Sequence, residues 1–184
     1  MNRAVGFISL LVLLFSACSD RELSTTKSSS KIFSEIEVAS SGIDFRNDLS
    51  VTDSMNFFTY GYFYMGGGVA VGDFNQDGLE DVFFTGNMVE NKLYLNQGDL
   101  NFEDITQSSG ITSASKWYTG VTVADVNQDG LEDIYISVAG KWMSRKNELW
   151  INQGPDASGI PQFTEEAEDY GVADASYSIQ SVFF

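Results

Sequence analysis

Asp73-Phe74-Asn75-Gln76-Asp77-Gly78-Leu79-Glu80-Asp81 returns 52 residues later as Asp125-Val126-Asn127-Gln128-Asp129-Gly130-Leu131-Glu132-Asp133, with eight of nine positions identical. The pattern D-x-N-x-D-G-x-x-D has a direct chemical reading. Side-chain oxygens at positions one, three, five and nine, with the backbone carbonyl of position seven, can converge on one hard cation. Glycine at position six permits the reversal that gathers them. The candidate ligands are therefore Asp73, Asn75, Asp77, Leu79 (carbonyl) and Asp81, then Asp125, Asn127, Asp129, Leu131 (carbonyl) and Asp133. Calcium accepts six to eight oxygens in flexible geometry, whereas magnesium demands a tight octahedron and keeps its waters, so the set favours calcium at two sites. An EF-hand does not fit, because its loop closes on a Glu at position twelve, where this chain has Phe84 or Ile136. A plain polar turn between two strands is the alternative for either copy alone; repetition favours the cation.

Working outward, each phrase sits inside a longer repeat. Gly68–Gly72 enters the first loop and Val82–Thr85 leaves it, followed by Lys92–Asn96, the turn Gln97-Gly98, and Phe102–Thr106 closed by Gly110. The second round runs through Gly120–Ala124, Ile134–Ser137, Glu148–Asn152 and Phe163–Glu166, closed by Gly171. Four short strands per repeat, at a period of roughly fifty residues, predict an all-β chain built as blades of a β-propeller. A β-sandwich carrying two unrelated turns is the alternative. The blades are expected at about 66–110 and 118–171, within a propeller region 33–184.

Two further matches predict that the ring is incomplete in this chain. Tyr177–Phe184 aligns with Lys116–Val123 and would begin a third blade, whose loop would fall beyond the last residue. Phe33-Ser34-Glu35-Ile36 resembles the fourth strand Phe102-Glu103-Asp104-Ile105 and would be an orphan closing strand.

The residues before the repeats read as an export leader. Arg3 and an apolar run to Phe15 precede the small residues Ser16-Ala17, so 1–17 is expected to be a signal peptide. Leu14-Phe15-Ser16-Ala17-Cys18 resembles a bacterial lipobox, which implies that Cys18, the single cysteine, carries lipid. Residues 18–32, rich in Ser and Thr, would then be a disordered tether. The expected location is the outer membrane or cell surface, with the membrane reached through the lipid anchor alone.

Composition narrows the chemistry. Ten basic against 26 acidic residues give a net charge of −16, which repels phosphate backbones and argues against nucleic acid as a partner. Histidine is absent, which excludes Ser-His-Asp and Cys-His catalysis and His-ligated zinc.

The stretches Tyr60–Asp73, Asn91–Gly98, Phe163–Ala167 and Tyr177–Phe184 resemble the FG-GAP/VCBS repeat family, and within it the secreted proteins of Bacteroidetes that end in an ASPIC/UnbV domain. The resemblance implies an integrin-α-like propeller with calcium in the hairpin loops. It implies little about activity.

Strand direction alternates within a blade, so the calcium loops share one face and the second-to-third-strand loops share the other. The longest loop, Ala139–Asn147, lies on that opposite face with Lys141, Trp142, Arg145 and Lys146. Trp142, with Trp117 and Tyr118 nearby, is the candidate surface for a glycan or protein ligand. The expected role is a calcium-stabilised, surface-tethered binding platform and not an enzyme. A carboxylate-using lyase or glycosidase, and a structural spacer for further domains, are the competing readings.

Overall fold

The computed structural model describes residues 33–114 and 116–184. The leader, Cys18 and the whole tether lie outside them. Residues 36–184 form one unit, and the account below concerns that unit.

Two four-stranded antiparallel sheets carry the fold. The first contains β1 (Val69–Gly72), β2 (Asp81–Phe84), β3 (Lys92–Asn96) and β4 (Phe102–Asp104); the second contains β5 (Trp117–Ala124), β6 (Asp133–Ala139), β7 (Glu148–Pro155) and β8 (Pro161–Glu165). In each sheet the spatial order follows the chain. This is the up-and-down meander of a propeller blade, and two such blades are present among the described residues, with no closed ring. The first register, Gly72 opposite Asp81 through Val69 opposite Phe84, is fixed by the tight loop between them. The second repeats it, with Ala124 opposite Asp133 and Val121 opposite Ile136.

Strand alternation decides which residues meet between the blades, since successive side chains point to opposite faces. Phe83 on β2 and Leu93 and Leu95 on β3 leave the first sheet on one face. Val121 on β5, Ile134, Ile136 and Val138 on β6, and Trp150 on β7 leave the second sheet toward them, forming one buried cluster with Phe74 and Phe163. The opposite face of the second sheet buries Tyr135, Leu149 and Ile151 against Ala167. Strand β6 is consequently buried along its whole length. Each fully buried Ile or Phe there contributes about 1.5–3 kcal/mol of transfer free energy.

Glycine at the inner strands sets how closely the blades approach. A Cβ on Gly68 would collide with the backbone of Gly120 and Val121, and one on Gly120 would collide with Ile179 and Gln180. Residues 177–184 thus lie against β5 much as β5 lies against β1. Thr119 Oγ1 donates to the Ser178 carbonyl at 2.8 Å and Thr122 Oγ1 to that of Ser181 at 2.5 Å.

Two expectations need correction. Residues 33–36 form no strand; a helical turn, α1 (Val38–Ser41), follows them and ends on Gly42 at φ 75°. Tyr177–Phe184 likewise forms no strand, although it occupies the next blade's place. A strand exists by pairing edge to edge, and Tyr177–Phe184 meets β5 through side-chain contacts and isolated hydrogen bonds without entering a ladder.

Candidate functional site

Both nine-residue loops fold identically. In the first, Asp77 N–H donates to Asp73 Oδ1 at 3.0 Å and to Asn75 Oδ1 at 3.2 Å, Gly78 N–H to Asp73 Oδ2 at 2.9 Å, and Leu79 N–H to Asp77 Oδ1 at 2.8 Å. The second repeats each bond, at 3.2, 3.0, 3.0 and 2.8 Å, among Asp125, Asn127, Asp129, Gly130 and Leu131. Gly78 and Gly130 take φ of 87° and 89°, a region that side chains with a Cβ avoid. Gln76 and Gln128 also adopt positive φ, 61° and 63°.

The ninth residue closes each loop from inside. Asp81 is fully buried; its Oδ2 accepts Phe74 N–H at 3.0 Å and its Oδ1 accepts Asn96 N–H at 2.8 Å. Asp133 does the same with Val126 and Asn152, at 2.9 and 2.8 Å. Burial pushes the Asp81 carboxyl up to about 6 against the pull of those two amides, and it raises Asp133 in the same direction. Neither carboxylate forms a salt bridge among the described residues.

Three carboxylates, an amide oxygen and a carbonyl are the donor chemistry of a hard cation, and the winding puts all of them in one loop. As they stand, the oxygens face the loop's own N–H groups. Asn75 Nδ2 donates to Asp77 Oδ2 at 3.0 Å, and Asn127 Nδ2 to Asp129 Oδ2 at 2.8 Å. Among the described residues no three acidic, histidine or cysteine side chains are gathered closely enough to hold a metal ion. Each oxygen that accepts one N–H retains a further lone pair, so the amides orient the donors without exhausting them.

The phrase does more than the ligand pattern announces. Glu132, its eighth residue in the second copy, accepts Asp73 N–H at 2.9 Å, and Gln76 Nε2 donates to the Gly130 carbonyl at 2.7 Å. The two loops are therefore tied to each other. Asn152 Nδ2 donates to the Phe74 carbonyl at 2.8 Å and ties the second blade's third strand to the first loop. Asn96 and Asn152 escaped the reading of the loops, although the recurring Asn96-Gln97-Gly98 and Asn152-Gln153-Gly154 were a visible signal.

The opposite face divides the three aromatic candidates. Trp142 is 51% exposed. Trp117 and Tyr118 are buried, which removes them as exposed stacking surfaces. The cause is strand alternation, which sends adjacent side chains of β5 to opposite faces, both of them covered. Trp117 turns into a cluster with Met55, Tyr60 and Phe63, while Tyr118 enters the core between the blades. The Tyr118 hydroxyl sits 3.2 Å from Glu148 Oε1, and Lys116 Nζ lies 2.7 Å from the same oxygen. Burial, then the Glu148 charge, holds the Tyr118 phenol well above its ordinary pKa.

Around Trp117 the structure opens a cleft of about 480 Å³, lined by Tyr60, Tyr62, Met65, Trp117, Tyr177 and Ile179. Thr59, Thr119 and Lys141 supply its polar rim, and no acidic residue borders it. Trp142 stands beside it, edge-on to Tyr60 at 6.5 Å. The tyrosines come from segments far apart in sequence, so no periodic signal could have assembled this site.

With both faces described, the chain can be compared with known proteins. Residues 73–136 match the FG-GAP-like repeat. The match opens on Asp73, the first residue of the first loop, and ends within β6, so it spans both loops. The chain is also similar to cartilage acidic protein 1 of Xenopus tropicalis, at 39% identity over 80 residues, and of Homo sapiens, at 38% over 80. The protein of the same name from Mus musculus is 36% identical over 77 residues. These alignments cover 42–43% of this chain but only 12% of each relative. The repeat match agrees with the two four-stranded blades and with an interaction module.

Proposed function

We propose that this chain is a calcium-stapled propeller module, exported and held at the cell surface by lipid on Cys18, that binds a glycan or protein through the face opposite its loops. The observation that carries the proposal is the pair of identical loops, each ending on a buried carboxylate with no cationic partner. Desolvating such a charge is costly, and a bound cation offsets that cost. Asp73, Asn75, Asp77 and Asp81, with the Leu79 carbonyl, would hold one ion; Asp125, Asn127, Asp129 and Asp133, with the Leu131 carbonyl, the other. The ion supplies structural cross-linking and no reaction step.

A binding module is favoured over a lyase or glycosidase by where the remaining carboxylates are spent. Glu148 is engaged by Lys116, Tyr118 and the Trp150 indole N–H, and Glu168 by Lys146. Glu165 Oε1 accepts the N–H groups of Leu149 and Ala167. No pair is left facing the cleft.

The staple is tested by melting the chain with calcium, with equal magnesium, and with chelator. An ion that binds only the folded state contributes about 2.7 kcal/mol per site at a hundredfold excess over Kd. The melting temperature should rise with calcium and much less with magnesium, and Asp77→Ala or Asp129→Ala should each remove part of the response. Identical melting under all conditions overturns the proposal. The anchor is tested separately: Cys18→Ser should abolish incorporation of labelled palmitate in a lipoprotein-processing bacterium, and equal labelling refutes it.

A further inference from the structure

The aromatic cleft differs from the rest of the molecule in charge. Six basic residues fall in the described part of the chain. Arg46, Lys92, Lys116 and Lys146 each face a carboxylate. Among the described residues Lys141 and Arg145 face none; Lys141 lines this cleft, and Arg145 lies against Tyr177, which lines it. Lys141 Nζ lies 5.0 Å from the centre of the Trp142 ring and donates to the Thr59 carbonyl at 3.1 Å. The Arg145 guanidinium lies 4.6 Å from the centre of the Tyr177 ring, and its Nε donates to the Ala175 carbonyl at 3.0 Å. Two cations without counter-charge, in a chain of net charge −16, are thus held beside a cleft with no acidic lining.

The lining specifies what else the ligand must offer. Exposed tyrosine faces pack against the C–H faces of a ring, while the hydroxyls of Tyr62 and Tyr177 offer hydrogen bonds to a ligand rich in hydroxyls. The Trp117 indole N–H is a buried donor with no acceptor in the protein, and Trp117 lines the cleft. The volume lies within the range of small-ligand sites, about 300–1,000 Å³. A purely apolar ligand would leave the cations and hydroxyls unused. A phosphate polymer would meet only two cations against the repulsion of the whole chain.

We infer that this cleft binds a short anionic oligosaccharide, its rings against Tyr62 and Tyr177 and its acidic group at Lys141 and Arg145. The inference deepens the binding-module reading and rests on it. Arginine's planar fork suits a carboxylate, and its position on the Tyr177 ring preorganises it.

The test titrates the full chain with tetragalacturonate and with its fully methyl-esterified form, by calorimetry and tryptophan emission. The acid should bind at least tenfold more tightly than the ester, and the difference should shrink with salt. Lys141→Ala and Arg145→Ala should each weaken acid binding about fivefold or more, with the melting temperature unchanged. Tyr62→Ala, at a ring that is largely exposed, should weaken acid and ester alike. The inference is overturned if wild type does not bind the acid, if the ester binds equally well, or if tetraglutamate binds as tightly as the sugar acid. Should a glycan array instead return neutral sugars lost in Tyr62→Ala, the binding-module reading stands and the anionic specificity falls. Calcium-dependent melting is read independently of every arm.

Discussion

The two blades share a loop, a register and a strand order, yet they are buried very differently. Val69 and Val71 on β1 are 59% and 54% exposed, whereas Val121, the counterpart of Val69, is 6% exposed. The difference lies in the neighbours. The second blade has the first on one side and residues 177–184 on the other. The first blade meets the second on one face, while Phe45, stacked on Phe84 at 4.9 Å, and Asp44, accepting from the Tyr94 hydroxyl at 2.7 Å, cover only part of the other. The lesson is that a blade's strands are apolar on both faces because its stability comes from stacking; a sheet of this sequence alone would leave one of them in water.

The comparison makes its strongest demand at the second strands. Ile134 is fully buried, while its counterpart Val82 is half-buried. Ile134→Ala should cost about 2–5 kcal/mol, and Val82→Ala less than half as much, by denaturant titration; equal losses would mean that the blades are equally packed. A smaller effect separates the third strands. Asn152→Ala removes the tie to Phe74 and leaves buried backbone groups unpaired, at about 1–3 kcal/mol, whereas Asn96→Ala removes a local bond worth about 0.5–1.5 kcal/mol. The last contrast falls on the inner strands. Val121→Thr should destabilise by about 1–3 kcal/mol, because its hydroxyl is buried without a partner, while Val71→Thr should stay within about 0.5 kcal/mol of wild type. A large loss at Val71 would show that its face is covered in solution.

How much of this was legible beforehand follows the chemistry of each part. Every strand was placed to within a few residues, because Asn, Asp and Gly at the turns break short apolar runs at a fixed period. β3 falls at Lys92–Asn96, where the sequence put it. Trp117 and Tyr118 were expected near an exposed surface and are buried, because alternation along β5 sends them to opposite faces and the Met55, Tyr60 and Phe63 that cover Trp117 lie outside the repeated strands. The cleft was out of reach for another reason. Residues 59–65, whose Tyr60 and Phe63 pack on Trp117 at 5.3 and 5.6 Å, have no counterpart in the second repeat. A site built partly from unrepeated chain cannot be found by aligning repeats.

Glu132 has a consequence of its own. In the second blade this side chain reaches Asp73 N–H; in the first, the equivalent Glu80 is exposed. The seam between blades therefore joins two unlike surfaces, a knob on one unit and a socket on the preceding unit, and each copy of the phrase brings both. Seams of that kind are directional, and the rotation they impose per step decides whether repetition yields a ring or an open spiral. The nine residues thus carry a polarity of assembly along with their own local turn.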